Sequence, residues 1–321
     1  METMDTKGSE HTFLGEPSTQ HDLHTHIPTK AIFTLGEQIG SGRFADVYSA
    51  HQGSLRRNVA VKQIRDQNQK NALRIFYNEM WLTAGLNHPN ILPIHDLVLI
   101  DGRPSLVMKL VNGQDWNEVL QINRMQEAAV LHHEIQRLVD VCDAVAFAHS
   151  RGVLHLDLKP ANVMCGAFGE TLVTDWGCAA LFDDSWWRDQ PDLPRTQHIN
   201  KPFGTPAFMA PELARGEGTA LGVHTDIYAL GAILHVLLSN APLRDGKSTR
   251  DAVVLAARGQ RLPLPSNAPA ALAQLCHHAT EANIHERLSD ITIFRQSLQH
   301  WLDTIEPENM SKNALETMCI M

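Results

Sequence analysis

Cysteine is scarce in this chain of 321 residues, and no two cysteines stand at C-x-x-C spacing. The five present, at 142, 165, 178, 276 and 319, are odd in number and scattered, which excludes a disulfide framework and argues against a zinc site. A reducing compartment, the cytoplasm, is the expectation. Long apolar runs are missing too: the longest, Ile227 to Leu238, is interrupted by His235 and is too short to span a bilayer. The first thirty residues lack the basic start and apolar centre of a secretory signal. Met318-Cys319-Ile320-Met321 places its cysteine third from the end, where a prenylation box needs it fourth, so no membrane segment or anchor is expected. Basic charge is not in excess either. The 27 Lys and Arg against 36 Asp and Glu give 27 − 36 = −9 with His neutral, which argues against nucleic acid or an anionic membrane as the main partner and favours basic protein substrates.

What is present is a globular composition, 43% hydrophobic and 20% charged, with length enough for one large domain or two ordinary ones. Residues 1–29 carry little periodic hydrophobicity and read as a flexible tail. From Ala31 to Leu110, β-branched runs such as Asn58 to Ile64 and Pro104 to Val111 alternate with turn residues, while Leu73 to Leu86 has helical spacing. This predicts a small antiparallel sheet carrying one helix. Beyond Gly113 helices dominate. Ala129 to Ser150 repeats apolar residues every three or four positions and is closed by Gly152. Asp226 to Ser239 is apolar nearly all round, as a buried helix should be, and Ser289 is placed to cap a helix with Phe294, Leu298 and Leu302 on one face. The expected fold is α+β and bilobal: an N-lobe over 30–111, a larger and mainly helical C-lobe over 112–306, a hinge near 109–114 and a tail over 307–321. A ligand would lie in the cleft between the lobes.

The chemistry concentrates in His155-Leu156-Asp157-Leu158-Lys159-Pro160-Ala161-Asn162, followed by Asp175-Trp176-Gly177. Two carboxylates, an amide and a lysine at this spacing are the parts needed to hold a metal-bound triphosphate beside an acceptor hydroxyl. Upstream, Gly40-Ser41-Gly42-Arg43-Phe44-Ala45-Asp46-Val47 lies between two strand-like stretches, where Gly40 and Gly42 would let backbone amides approach phosphate oxygens. Alone, that string is equally an ordinary hairpin, and Ala45 takes the place of a third glycine. Lys62 ends the apolar strand Val59-Ala60-Val61-Lys62, and Glu79 on the one N-lobe helix is the partner charge that would hold its ammonium against the phosphates.

Together these motifs resemble the eukaryotic-type (Hanks-type) serine/threonine protein kinases over roughly residues 32 to 304. The hinge Met108-Lys109-Leu110-Val111 and the Asp-Trp-Gly turn look like the bacterial members. The resemblance implies ATP and Mg2+ as cofactors, with Mn2+ an alternative, and Ser/Thr-bearing proteins as substrates, this chain included through autophosphorylation. It implies that Asp157 orients the acceptor hydroxyl and takes its proton, that Lys159 contacts the γ-phosphate, and that Asn162 and Asp175 hold the metal. Val47 and Ala60 would lie above the adenine and Met164 below it. Met108 would be the gatekeeper, the backbones of Lys109 and Val111 would bond the base, and Asp115 would reach the ribose. Gly204 to Glu212 resembles the substrate-docking end of an activation segment, in which Thr205 bonds Asp157 and Lys159, Glu212 pairs with Arg287, and Asp226 braces the catalytic loop.

Several residues depart from the pattern. Leu156 stands where the family usually has the arginine that grips an activation-loop phosphate, so activity is expected not to need that phosphate, although Ser185 and Thr196 lie in the segment. Trp176 replaces the usual phenylalanine; its larger ring either holds Asp175 in its metal-binding arrangement or is a neutral exchange. Cys178 reads as an inert core residue more readily than as a reactive thiol. Of the eighteen histidines, His21, His24 and His26 match no ligand template. Trp186-Trp187, unusual in a mobile loop, would dock on the protein itself or on a partner. Ala161 weakens the case for an arginine-guided substrate motif, whereas Asp115 and the net charge favour one. A pseudokinase scaffold and a small-molecule phosphotransferase are the competing readings. The first usually lacks Lys62, Asp157 or Asp175, and the second has no docking shelf like Gly204 to Glu212.

Overall fold

The N-terminal strands pair because β-branched and apolar residues alternate faces. β1 (Phe33–Ser41), β2 (Ala45–Gln52), β3 (Arg57–Ile64), β4 (Ile94–Ile100) and β5 (Arg103–Met108) form one antiparallel sheet in the order β1-β2-β3-β5-β4. The computed structural model describes residues 33–42, 44–122, 128–190 and 192–304. The expected tails over 1–29 and 307–321, and with them His21, His24 and His26, lie outside those residues. Along β3, Val59 and Val61 pack on one face with Ala50, Ile100 and Val107. Ile64 and its neighbours Ala45 and Leu106 pack on the other, against Ala72, Phe76 and Met80 of α1 (Lys70–Gly85). Those three recur every four residues, which puts them on one helical face. The strand expected over Pro104 to Val111 ends at Met108, where the chain leaves the sheet for the hinge.

Past the hinge come β6 (Gly113–Asp115), α2 (Trp116–Ile122), α3 (Ala128–Ser150), β7 (Val153–Leu154), β8 (Val163–Gly166), β9 (Thr171–Val173) and β10 (Ala180–Leu181). The short strands β6, β8 and β9 make a three-stranded sheet, and β7 pairs with β10. Then follow α4 (Pro211–Arg215), α5 (Val223–Ser239), α6 (Thr249–Ala257), α7 (Ala270–Ala279) and α8 (Ile291–Thr304). α5 is the centre of this lobe: Ile227, Leu230, Ile233 and Leu234 are fully buried, and they share one apolar cluster with residues of α3, α7 and α8. Burying each such side chain is worth about 1.5–3 kcal/mol. α3 closes as expected at Gly152, whose φ of 74° is left-handed, and a Cβ there would lie 2.0 Å from the Asp183 carbonyl. One cap differs from the sequence reading. Asp290, not Ser289, caps α8, accepting from the Thr292 N–H at 2.7 Å. No helix among the described residues is long and apolar enough to cross a membrane.

Candidate active site

The antiparallel register of the upper sheet sets Val47 opposite Lys62, Lys62 opposite Leu106, and Ala60 opposite Met108. These residues therefore share the face that looks toward α1 and the cleft. Lys62 Nζ lies 2.5 and 2.7 Å from the two carboxylate oxygens of Glu79. Burial works against the lysine charge, but the carboxylates of Glu79 and Asp175 outweigh it and hold Lys62 above the ordinary lysine range. Burial pushes the Glu79 carboxyl up, against the pull of Lys62, and Asp175 pushes it further. Asp175 thus brings a surplus of negative charge to this corner, and a cation beside it would relieve that surplus.

The glycine hairpin turns through a Gly42 N–H to Ala45 carbonyl bond of 2.8 Å. A Cβ on Gly40 would meet only the Val47 side chain, at 3.5 Å. Packing within the protein does not demand glycine there. A clasp that the sequence did not announce ties the hairpin down. Arg65 donates to Ser41 Oγ at 2.8 Å, to Asp46 at 3.0 Å and to the Gly42 carbonyl, and Ser41 in turn donates to Asp46 at 2.8 Å.

In the lower lobe the loop from His155 to Asn162 hangs from α5. The Asp226 carboxylate accepts the N–H groups of His155 and Leu156, each at 2.9 Å, and bonds His149 at 2.9 Å. These bonds hold Leu156 at a φ of 63°, a conformation that costs a non-glycine residue about 1–2 kcal/mol. Asp157 projects from the next position. One of its oxygens accepts the Thr205 N–H at 2.8 Å, and the other faces Lys159 Nζ at 2.8 Å. Lys159 also donates to Thr205 Oγ1 at 2.7 Å, so the three side chains form one polar network. Asn162 donates its amide nitrogen to the Asp157 carbonyl at 2.8 Å, which leaves its amide oxygen as the atom able to hold a cation.

Asp175 is exposed to the cleft and takes a left-handed φ of 57° at the entrance to a short turn over Trp176–Cys178. A Cβ on Gly177 would lie 3.2 Å from an Asp175 oxygen and 3.5 Å from a Glu79 oxygen. The two carboxylates therefore flank one glycine, across the lobes. Trp176 is buried, its ring centroid 4.6 Å from that of His155. Burial pushes the Cys178 thiol up to about 12, with Asp157 and Asp175 adding to the shift, so it is an inert thiol at neutral pH. The donor set of one carboxylate and one amide oxygen suits a hard cation such as Mg2+ that takes its remaining ligands from phosphates and water. Among the described residues no cluster of three or more His, Cys, Asp or Glu could hold a metal by itself.

The residues expected around the adenine are placed as follows. Met164 stands opposite Asp115 in the β6–β8 register. The Lys109 N–H is taken by the Pro93 carbonyl at 3.1 Å, which leaves its carbonyl to meet a base, and its ammonium pairs with Glu170 at 2.5 Å. Val111 follows in the irregular hinge, half-buried. Asp115, expected at the ribose, has one oxygen engaged in capping α2 through the Glu118 N–H at 2.9 Å and one left over.

Below the cleft lies the segment from Gly204 to Glu212. Gly204 has a φ of 93°, and a Cβ on it would approach Asp157 Oδ1 at 3.1 Å; only glycine suits both demands. Glu212 and Arg287 form a doubly bonded pair at 2.7 and 3.0 Å, both side chains fully buried. Sequence reasoning missed Arg244. It is 3% exposed, and it donates to the carbonyls of Pro206 at 2.7 Å, Met209 at 2.8 Å and Gln260 at 3.2 Å and to the Tyr228 hydroxyl. A lone arginine after Ala-Pro-Leu carries no signal of that role. Leu156 is buried among Leu154, Met209, Leu213 and Leu221, so apolar packing occupies the place of the phosphate-gripping arginine. Thr196 is buried, and Ser185 is exposed.

A family model for the protein kinase domain matches residues 33–302. Serine/threonine-protein kinase PknD of Protochlamydia amoebophila is 31% identical over 252 residues, covering 71% of this chain and 25% of that protein. PknD of Chlamydia trachomatis serovar L2b is 31% identical over 299 residues, 84% of this chain and 31% of the relative. A probable serine/threonine-protein kinase PknB of Lactococcus lactis is 32% identical over 269 residues, 81% of this chain and 40% of the relative. The chain thus spans between a quarter and two fifths of the length of these curated relatives.

Proposed function

We propose that this chain, which belongs to the protein kinase family, transfers the γ-phosphate of ATP to serine or threonine hydroxyls of proteins. The observation that carries this reading is the Asp157–Lys159–Thr205 network, set beside a Lys62–Glu79 pair that shares a corner with Asp175. In this reading Asp157 takes the proton of the acceptor hydroxyl as its oxygen bonds to the γ-phosphorus and the bond to the β-phosphate oxygen breaks, releasing ADP. Lys159 neutralises charge on the transferring group, and Lys62 orients the α- and β-phosphates. Asn162 and Asp175 hold Mg2+ or Mn2+, which when bound neutralises the phosphate oxygens. Gly40 and Gly42 cover the phosphates, Val47, Ala60 and Met164 enclose the adenine beside Met108, the backbones of Lys109 and Val111 bond it, and Asp115 meets the ribose with its uncapped oxygen. Most of the rate enhancement would come from positioning and charge neutralisation.

The kinase domain in this reading runs over 30–306, acts in the cytoplasm and accepts its own chain as a substrate. A pseudokinase is disfavoured because Lys62, Asp157 and Asp175 are all in place, and a small-molecule phosphotransferase because Gly204 to Glu212 forms a braced shelf beside Asp157. The test incubates pure protein with γ-labelled ATP and Mg2+, once with a generic basic protein and once with small alcohols. Label on serine or threonine of the protein is the expected result. Label on the alcohols alone, or on nothing, overturns the reading.

A further inference from the structure

Trp186 and Trp187 have no part in phosphoryl transfer, yet their placement is specific. After β10 the chain makes an excursion that returns at its neck, where the Leu181 N–H donates to the Pro194 carbonyl at 2.8 Å and Leu181 bridges Arg195. The excursion is rooted on the end of α3: the Phe182 N–H donates to the Gly152 carbonyl at 2.9 Å. The Arg151 guanidinium covers the exposed Trp186 ring at 3.9 Å. Trp187 turns inward and is 7% exposed. Its indole N–H donates to the Arg151 carbonyl at 2.8 Å, and its six-membered ring lies over Gly85, where a Cβ would stand 2.3 Å from Cη2. It belongs to the same apolar cluster as Leu82 and Leu86, which flank that glycine at the end of α1.

Glu79 lies on α1 six residues before Gly85, about 9 Å along the helix axis. A helix held at its last turn carries the position of that turn to Glu79. We propose that Trp187 is a positioning residue: seated on Gly85 and bonded to Arg151, it ties the end of α1 to the lower lobe and so keeps Glu79 on Lys62. In protein kinases the Lys–Glu pair must be in place for transfer, and activation-loop phosphorylation commonly controls it. Here apolar packing performs that task, which fits the burial of Leu156 where a phosphate-gripping arginine would stand.

This inference rests on the kinase reading, and its test separates the two. The phosphatase-treated chain is assayed for kcat/KM with a basic protein substrate as four forms: parent, Trp187→Ala, Glu79→Gln and the double variant. The parent is active without phosphate on its activation segment. Trp187→Ala lowers kcat/KM about 10-fold or more, but lowers it less than about twofold further in the Glu79→Gln background, because both changes remove one interaction. Trp187→Phe, which keeps a ring over Gly85, recovers most of the loss. Should Trp187→Ala fail to fold, Gly85→Ala takes its place in the same cycle, since its methyl group displaces the indole. Equal losses in both backgrounds, no loss in Trp187→Ala, or a parent active only when phosphorylated would overturn the lock. A parent inactive under every condition would overturn the kinase reading and the lock with it.

Discussion

Arg65 and Asp46, which tie down the glycine hairpin of the upper lobe, meet at the surface, with side chains 45% and 17% exposed. Asp226, which ties down the catalytic loop of the lower lobe, is 1% exposed and accepts two backbone N–H groups and a histidine. An exposed ion pair contributes about 0–1 kcal/mol, whereas breaking a buried hydrogen-bonded charge costs about 3–5 kcal/mol. The upper clasp is therefore weak enough to open at little cost. The lower brace holds Asp157 in one place throughout. In the proposed function, phosphate handling falls to the yielding lobe and proton handling to the unyielding one.

The contrast is tested most severely at the rigid end. Asp157→Ala should lower phosphate transfer about 10³-fold or more with an unchanged far-UV circular dichroism spectrum. Activity within tenfold of the parent would remove Asp157 from the chemistry. Next, Asp226→Asn should lower Tm by about 5–10 °C near neutral pH and disable transfer together with it. The pH dependence of that loss has a definite sign. Burial alone would raise the Asp226 pKa, but the hydrogen bond and charge of His149, aided by His155, bring it below the ordinary carboxylate value. Its contribution is therefore complete above the unfolded pKa of about 4 and is lost as pH falls through the depressed native value. The Tm gap between parent and variant should narrow as the pH falls below about 4. A gap that widened there would contradict the brace.

A smaller effect is expected at the segment from Gly204 to Glu212. Arg244 holds the Pro206 and Met209 carbonyls, so Arg244→Met should raise KM for a protein substrate about three- to tenfold and leave KM for ATP within about twofold. Equal changes in both constants would mean that Arg244 serves only general stability. The smallest effect belongs to the upper clasp. Asp46→Asn should shift Tm by less than about 2 °C and change KM for ATP by roughly twofold. A large loss of stability there would abolish the distinction between the lobes.

The parts that could be read from sequence are those whose partners are near in the chain or whose residue types are chemically demanding. His155 to Asn162 compresses an aspartate, a lysine and an asparagine into eight residues. The apolar spacing of α1, α3 and α5 likewise announced helices and their buried faces. The Lys62–Glu79 pair was read from a lysine ending an apolar strand and an acid on the one N-lobe helix, whereas the Glu212–Arg287 pair was reachable only through the family resemblance, because nothing local ties residues that far apart. Arg244, the Arg65 clasp and the seat of Trp187 on Gly85 were not legible. Each joins an ordinary residue to backbone or to a glycine far along the chain, and composition and periodicity carry no trace of such contacts. Asp290 displaced Ser289 as the cap of α8 for a local reason, the start of the helix one residue later, and both residues are good caps.

Metal-dependent nucleotide binding tests the central claim most directly. In calorimetric titrations of the parent chain and of Asp175→Asn with ATP, each with Mg2+ and with a chelator, the parent should bind ATP at least about tenfold more tightly with Mg2+, and Asp175→Asn should lose that difference. Equal affinity with and without the metal, or an undiminished metal effect in Asp175→Asn, would contradict a site in which Asp175 and Asn162 hold the cation beside the Lys62–Glu79 pair.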